Sequence, residues 1–365
     1  MKVIFFCSYY DVYLETFYKK NTGLSQLSYA QQMAALKHDH FGHWASYADE
    51  FVKLDVDAEL IIPNCKPLQI AWAKENSIKY NSGEWNFSIA LEQVKKIKPD
   101  IFYISSMFEY YNGFLAEVKK HVKKVFGWIN CAMPAGLKLN NIELLLTAVP
   151  HFADNFRKGG IPSEILGSAF DPSILASLEP AIEKDIDFSF IGSLSQAHRK
   201  RIQLIKELIN RSGLLFFGDG ISHIPDNRNF FQKLTSKSIY QQRQREAVWG
   251  LDMYKTLHRS RITFNAHIDV SKQFIGNMRT YEATGVGTLL LTDGMKAPQK
   301  NFTDDEVVYY DTIDDAIEKV NYYLEHEKER KVIAAKGQQR TLTEYNYEIS
   351  SRRLLEYFNQ YLNSN

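Results

Sequence analysis

The run Asn277-Met-Arg279-Thr-Tyr-Glu282-Ala-Thr-Gly285-Val-Gly287-Thr-Leu-Leu-Leu291-Thr-Asp293 decides the fold. Asn277 is a good helix N-cap, a helical stretch follows, glycines end it, and three leucines make a buried strand closed by Asp293. Helix, glycine turn and buried strand form one unit of a parallel sheet covered by helices. The alternation continues outward from there. Strands are predicted at 187–191, 214–217, 261–264, 288–291 and 307–310, helices at 196–210, 249–259 and 278–284, and a helical tail from about 312. The first half reads as strands at 2–7, 58–62, 101–105, 124–129 and 144–148, with helices near 25–37, 67–76, 87–97, 112–121 and 151–158. Between the halves, Gly159-Gly160, Pro162, Pro172 and Pro180 punctuate a stretch that suits an interdomain linker. The expectation is two α/β domains of similar size meeting at a cleft.

The 365 residues are enough for about two domains. With 45% hydrophobic and 24% charged residues the composition is that of a globular chain, not a disordered one. A net charge of +1 gives no field to steer the chain onto nucleic acid or an anionic membrane. The basic runs His198–Arg201 and Arg243-Gln-Arg245 are short and isolated, which argues against a nucleic-acid partner. Cys7, Cys65 and Cys131 lie far apart, form neither a disulfide framework nor a zinc pattern, and point to a reducing cytoplasm. The opening Met1-Lys-Val-Ile-Phe-Phe-Cys7 is too short for a signal segment or a membrane span and reads as a buried first strand.

In an open α/β sheet the ligand lies beyond the carboxyl ends of the strands. The first-turn amides after Asn277 can accept a pyrophosphate without a metal, and Arg279 adds a forked donor beside them. Glu282, one turn on, shares the face of Arg279 and can take both hydroxyls of a ribose, although a surface ion pair has the same spacing. Gly192 and Ser193 follow the strand 187–191, where a glycine lets a ligand approach the backbone, and Arg201 lies in the basic cluster after it. Asn265 and His267 follow the strand 261–264, and Phe217-Gly218-Asp219-Gly220 turns at the same edge. Asp55-Val-Asp57 and Asp185-Ile-Asp187 precede their strands and read as solvated turns. His38-Asp-His40-Phe-Gly-His43 lacks fixed ligand spacing, so no metal is expected there. Neither Gly-x-Gly-x-x-Gly nor a Walker-type loop occurs, which leaves nicotinamide or ATP binding of those kinds without support.

The run 277–285 with Leu-Leu-Thr-Asp293 resembles the donor-binding region of GT-B glycosyltransferases, nearest the bacterial branch related to the spore-maturation protein CgeB. Asp187-Phe-Ser-Phe-Ile-Gly-Ser193, Trp249–Tyr254 through Phe264-Asn265-Ala-His267, Glu306–Tyr310 and Ala335–Arg340 are similar to other segments of that group. Asn64–Trp72 and Pro150-His151-Phe152 are similar more loosely. The resemblance implies two Rossmann-like domains, 1–170 for the acceptor and 171–347 for the donor, with 348–365 packing back on the first. It implies metal-independent transfer of a sugar, in cell-surface glycan assembly, from a nucleoside-diphosphate sugar to a saccharide, lipid-linked or protein acceptor. No cofactor beyond that donor is implied, and a lipid-linked acceptor would hold the chain at the inner membrane face. Two other readings of the same fold are a nucleotide-sugar epimerase and a non-catalytic sugar- or nucleotide-binding protein of a surface layer. Glu282 carries over to the ribose, and Arg279, Gly192 and Ser193 to the phosphates, with Asn265 and His267 as neighbours. Many retaining members have a second glutamate eight positions before Glu282. Phe274 stands there, so retention and inversion both stay open. A base near the acceptor would come from Asp11, Glu15 or His151, and Tyr9, Tyr10 and Tyr13 either stack on a sugar or pack.

Overall fold

Val3, Ile4, Phe5 and Phe6 are all buried, as a parallel strand covered on both faces must be. They form β1 (Lys2–Phe6), and around it a computed structural model shows how the rest of the chain is arranged. The structure describes residues 1–110, 113–131, 139–180, 183–195, 199–226, 228–229, 233, 236–267, 276–294, 297 and 300–363. By contacts the chain divides into two units, Met1–Gly167 with Tyr347–Asn365, and Ser168–Asn346.

In the first unit β1 is followed by α1 (Asp11–Lys20), α2 (Tyr29–His38), α3 (Trp44–Lys53), β2 (Asp57–Ile61), α4 (Lys66–Glu75), α5 (Trp85–Ile97) and β3 (Ile101–Ile104). Then come α6 (Gly113–Val118), β4 (Lys124–Trp128), β5 (Leu144–Thr147), α7 (Pro150–Lys158) and β6 (Ser163–Ile165). The sheet order is β2-β1-β3-β4-β5-β6, parallel throughout. Phe5 lies opposite Leu60 on one side and Tyr103 on the other. Three elements differ from the sequence reading. No helix is expected at 11–20 or 44–53, yet both form: Trp44, Tyr47, Ala48 and Phe51 recur at i, i+3, i+4 and i+7, and Tyr13, Leu14 and Phe17 lie on one face, so aromatics carry the helical apolar stripe. And β6 falls inside the expected linker; three residues carry no periodicity, but Ser163 pairs with Leu145 and extends the sheet.

The second unit runs β7 (Ile186–Ile191), α8 (Arg199–Ser212), β8 (Leu215–Phe217), α9 (Ile239–Arg243), β9 (Gln244–Arg245), α10 (Gly250–Arg259) and β10 (Ser260–Asn265). It continues with α11 (Met278–Gly285), β11 (Leu289–Thr292), β12 (Val308–Tyr309), α12 (Ile313–Glu325) and α13 (Glu327–Glu344). Its strand order, β12-β11-β10-β7-β8-β9, is again parallel throughout and is that of the Rossmann fold, reversing between β7 and β10. Leu289 and Leu291 enter one core layer and Leu290 the other, as the two-residue strand period requires. The last helix, α14 (Tyr347–Leu362), belongs to the first unit. Its Phe358 ring meets Phe51, Tyr103 and Phe126 at 5.2–5.6 Å between centroids. The chain's many aromatics thus serve largely as core, and Tyr9 and Tyr13 are among them: both are buried, with Tyr13 stacked on Phe41 at 3.7 Å. No described helix is long and apolar enough to cross a membrane.

Candidate functional site

At the carboxyl edge of the second sheet, where strand order reverses, the chain places the start of α11. Asn277 caps it: its Oδ1 accepts from the Thr280 amide and hydroxyl, and its amide group pairs reciprocally with that of Asn265 at the end of β10. The cap takes up the third amide of the helix. The amides of Met278 and Arg279 have no partner among the described residues, which leaves the positive end of the helix dipole free for an anion.

Arg279 and Glu282 share a face and lie in the interior, not on the surface. Nη1 of Arg279 is 2.8 Å from Oε2 of Glu282, and Glu282 is only 7% exposed. Nη2 of Arg279 donates to the Ile191 carbonyl at the end of β7. Nη1 is buried, and its approach to Glu282 is an ion contact that misses hydrogen-bond geometry, so its hydrogens remain uncommitted. Burial pushes the Glu282 carboxyl above its ordinary pKa, and the Arg279 guanidinium pulls it back in part. Tyr254 from α10 lies in the same field, its hydroxyl held well above its ordinary value chiefly by burial and then by Glu282. Spacing alone gives no hint of Tyr254, which arrives through packing.

The remaining residues expected here have distinct places. The Gly192 amide donates to the Phe217 carbonyl and that of Leu194 to Asp219, so neither offers a donor to a ligand, and a Cβ on Gly192 would crowd the Phe190 ring at 3.1 Å. Ser193 beside Gly192 is exposed. Gly218 and Gly220 permit this lacing: a Cβ on either would run into the carbonyl oxygen of Gly192 or Leu194. Arg201 donates from Nη2 to the Ala266 carbonyl at 3.0 Å, and its buried Nε has no partner among the described residues. The Tyr310 hydroxyl, in the same field as Arg201 and Asp293, is also buried and without a partner among the described residues. His267 is fully engaged. Its Nδ1 donates to Asp293 at 2.6 Å, and its Nε2 accepts from the Gly276 amide at 3.0 Å, so it brackets β10, β11 and the approach to α11. That role is positioning. Burial alone would raise the Asp293 carboxyl, but the hydrogen bonds and field of His267 hold it below the ordinary carboxylate value. His198 and Phe274 lie outside the described residues.

The three base candidates are not brought together. Asp11 begins α1 after β1, exposed, with Oδ1 accepting from Asn64 Nδ2 at 2.9 Å, and Glu15 is exposed one turn later. His151 stands after β5, its ring against Phe152; β3 and β4 lie between β5 and β1, a span of roughly 14 Å. The sequence reading misses a carboxylate at the reversal point of this sheet, Glu109, whose Oε2 accepts from Ser8 Oγ at 2.8 Å. The two are 101 residues apart in sequence, and no local pattern joins them. Tyr10, 65% exposed, also lies at this edge.

Solved structures share the fold over nearly their full length. An alpha-glucosyltransferase, solved with UDP-glucose and DNA containing an abasic site, is similar at TM-score 0.64 and 11% identity, covering 98% of this chain and 99% of that one. HepE of Anabaena, solved with UDP-glucose, gives 0.58 at 10% identity, covering 99% and 100%. A UDP-N-acetylglucosamine 2-epimerase gives 0.51 at 12%, covering 99% and 96%. No curated protein matches the sequence. The fold is therefore shared by transferases and an epimerase, and fold alone does not fix an activity. The family model that matches residues 184–356 is described as glycosyl transferase-like. The chain has the GT-B fold, and its second half is similar to a glycosyl transferase-like family. The matched stretch holds Gly192, Ser193, Arg201, Asn265, His267, Asn277, Arg279 and Glu282, while Asp11, Glu15, Glu109 and His151 lie before it.

Proposed function

We propose that this chain is a glycosyltransferase that moves a sugar from a nucleoside-diphosphate donor to a saccharide, lipid-linked or protein acceptor in cell-surface glycan assembly, without a metal. The observation that carries the reading is the buried Arg279–Glu282 pair beside two free amides at the start of α11. Arg279 Nη1, in ion contact with Glu282 but without a hydrogen bond among the described residues, has donor capacity that a diphosphate oxygen can take up. Glu282, desolvated and short of donors, suits the two hydroxyls of a ribose. Departure of the diphosphate builds negative charge on the leaving oxygens. Amides and a guanidinium already fixed in place stabilise that charge with little reorganisation. Similar proteins solved with UDP-glucose make UDP-sugars the first donors to test.

The test is release of nucleoside diphosphate from a panel of nucleotide sugars, with and without acceptor saccharides. Acceptor-dependent release is expected. Release that ignores the acceptor, with the donor sugar inverted at C2, would make the protein an epimerase, and binding without turnover would make it a sugar- or nucleotide-binding protein.

A further inference from the structure

The opposite, amino edge of the second sheet carries a separate cavity of about 370 Å³, within the size range of small-molecule sites. It is lined by Lys184 before β7, Arg261 at the start of β10, and Arg330 and Lys331 from α13, with the carboxylates Glu183 and Glu327. Arg261 precedes Asn265 by four strand residues, which sets this cavity roughly 13 Å from the Asn277 end. Arg330 is 5% exposed; its Nη1 donates to the Tyr323 and Leu324 carbonyls, while Nη2 has Glu327 at 3.9 Å as its one charged partner among the described residues. The Lys184 ammonium donates to the carbonyls of His258 and Ser260 and to Thr288 Oγ1. Burial first, and then the Arg330 charge, lower Lys184 to about 8, and the Arg261 charge in turn weighs on Arg330. Lys184, Arg261 and Arg330 are thus held in mutual repulsion around one hollow, offset in part by Asp187, which pairs with Arg261, and by Glu327, which lies nearer Lys331 at 2.7 Å than Arg330. Such crowding is relieved by a multiply charged anion.

We infer that this cavity binds a small organic phosphate, with Arg261, Arg330 and Lys331 on the phosphate and Glu183 and Gln338 available to hydroxyls. Gln338 Nε2 already donates to the Gly285 carbonyl, so the cavity abuts the far end of α11.

The probe is inorganic phosphate titrated into the full chain at fixed ionic strength, read by phosphorus NMR line width. Arg279→Ala removes the α11 site, and Arg261→Gln with Lys331→Gln removes the cavity's more exposed cations. Saturable binding should persist in Arg279→Ala and weaken roughly tenfold in the double variant. In the unmodified chain, phosphate should also raise amide-exchange protection in the first turn of α13, a reading that needs no variant. Binding lost in Arg279→Ala while α13 stays unprotected would overturn the inference, as would the absence of saturable binding. A failed nucleotide-sugar panel would leave this inference standing, since it rests on different residues.

Discussion

The two sheets reverse strand order in the same way and furnish the two edges differently. After β7 and β10, charged groups are buried and cross-braced: Arg279 on Glu282 and the Ile191 carbonyl, His267 on Asp293, Asn265 on Asn277. After β1 and β3, the carboxylates of Asp11 and Glu109 are exposed, each held by a single neutral partner, Asn64 or Ser8. A buried, braced edge is shaped before its ligand arrives and suits one invariant group, such as a nucleoside diphosphate. An open edge with lightly held carboxylates suits chemistry in which a base meets varied hydroxyls. Under the proposed function, selectivity for the donor belongs to the second unit and the first defines the acceptor.

The strongest way to break that contrast is Glu282→Ala. It strands the Arg279 guanidinium in the interior, at a cost of about 4 kcal/mol. Thermal stabilisation by the preferred nucleotide should vanish there, and also in Arg279→Ala and Glu282→Gln. A retained nucleotide shift in all three would remove the site from this edge. Next in size is Gly218→Ala. Gly218 has φ of +153°, and a Cβ on it would meet the Gly192 carbonyl. The loss should be about 3 kcal/mol in denaturant unfolding, with nucleotide binding weakened as the 192–194 loop shifts. At the open edge the expected cost lies in rate. If one of Asp11, Glu15, Glu109 or His151 is the base, its amide or alanine variant should lose roughly a hundredfold in kcat, with KM for the donor unchanged. Four near-normal variants would exclude a side-chain base from this set.

What was legible in the sequence follows the range of the interactions. The capped start of α11, the shared face of Arg279 and Glu282, and the gathering of Gly192, Asn265 and Asn277 at one edge need only helical period and strand direction. Burial of the Arg279–Glu282 pair did not follow from spacing, because the cover comes from elsewhere in the chain, with Tyr254 in its field. The engagement of His267 also escaped the reading, since Asp293 reaches it from the neighbouring strand. Helices α1 and α3 do carry a helical period, in Tyr13, Leu14 and Phe17 and in Trp44, Tyr47, Ala48 and Phe51, whereas Glu109 has no local signal because its partner is remote in sequence.

Two histidines give the finest test of the difference. His267 lies against a carboxylate; His43 lies among Trp44 and Trp128, and burial lowers its pKa from 6.5 to about 4. Between those values the unfolded chain binds more protons than the folded one, so the stability His43 contributes is present above about 6.5 and is lost as pH falls toward about 4. For a half-buried ring the loss is about 2 kcal/mol. In the second unit Asp293, held below the ordinary carboxylate value, loses its contribution only at lower pH, and Glu282, held above it, sheds a burial cost as pH falls. Acid should therefore loosen the first unit before the second. Amide exchange followed from pH 7 to 4 should show protection falling first in α3 and β4, and His43→Phe should flatten that decline. If both units lose protection together, or the variant declines like the parent, the charge-free surroundings of His43 are not what sets the acid response.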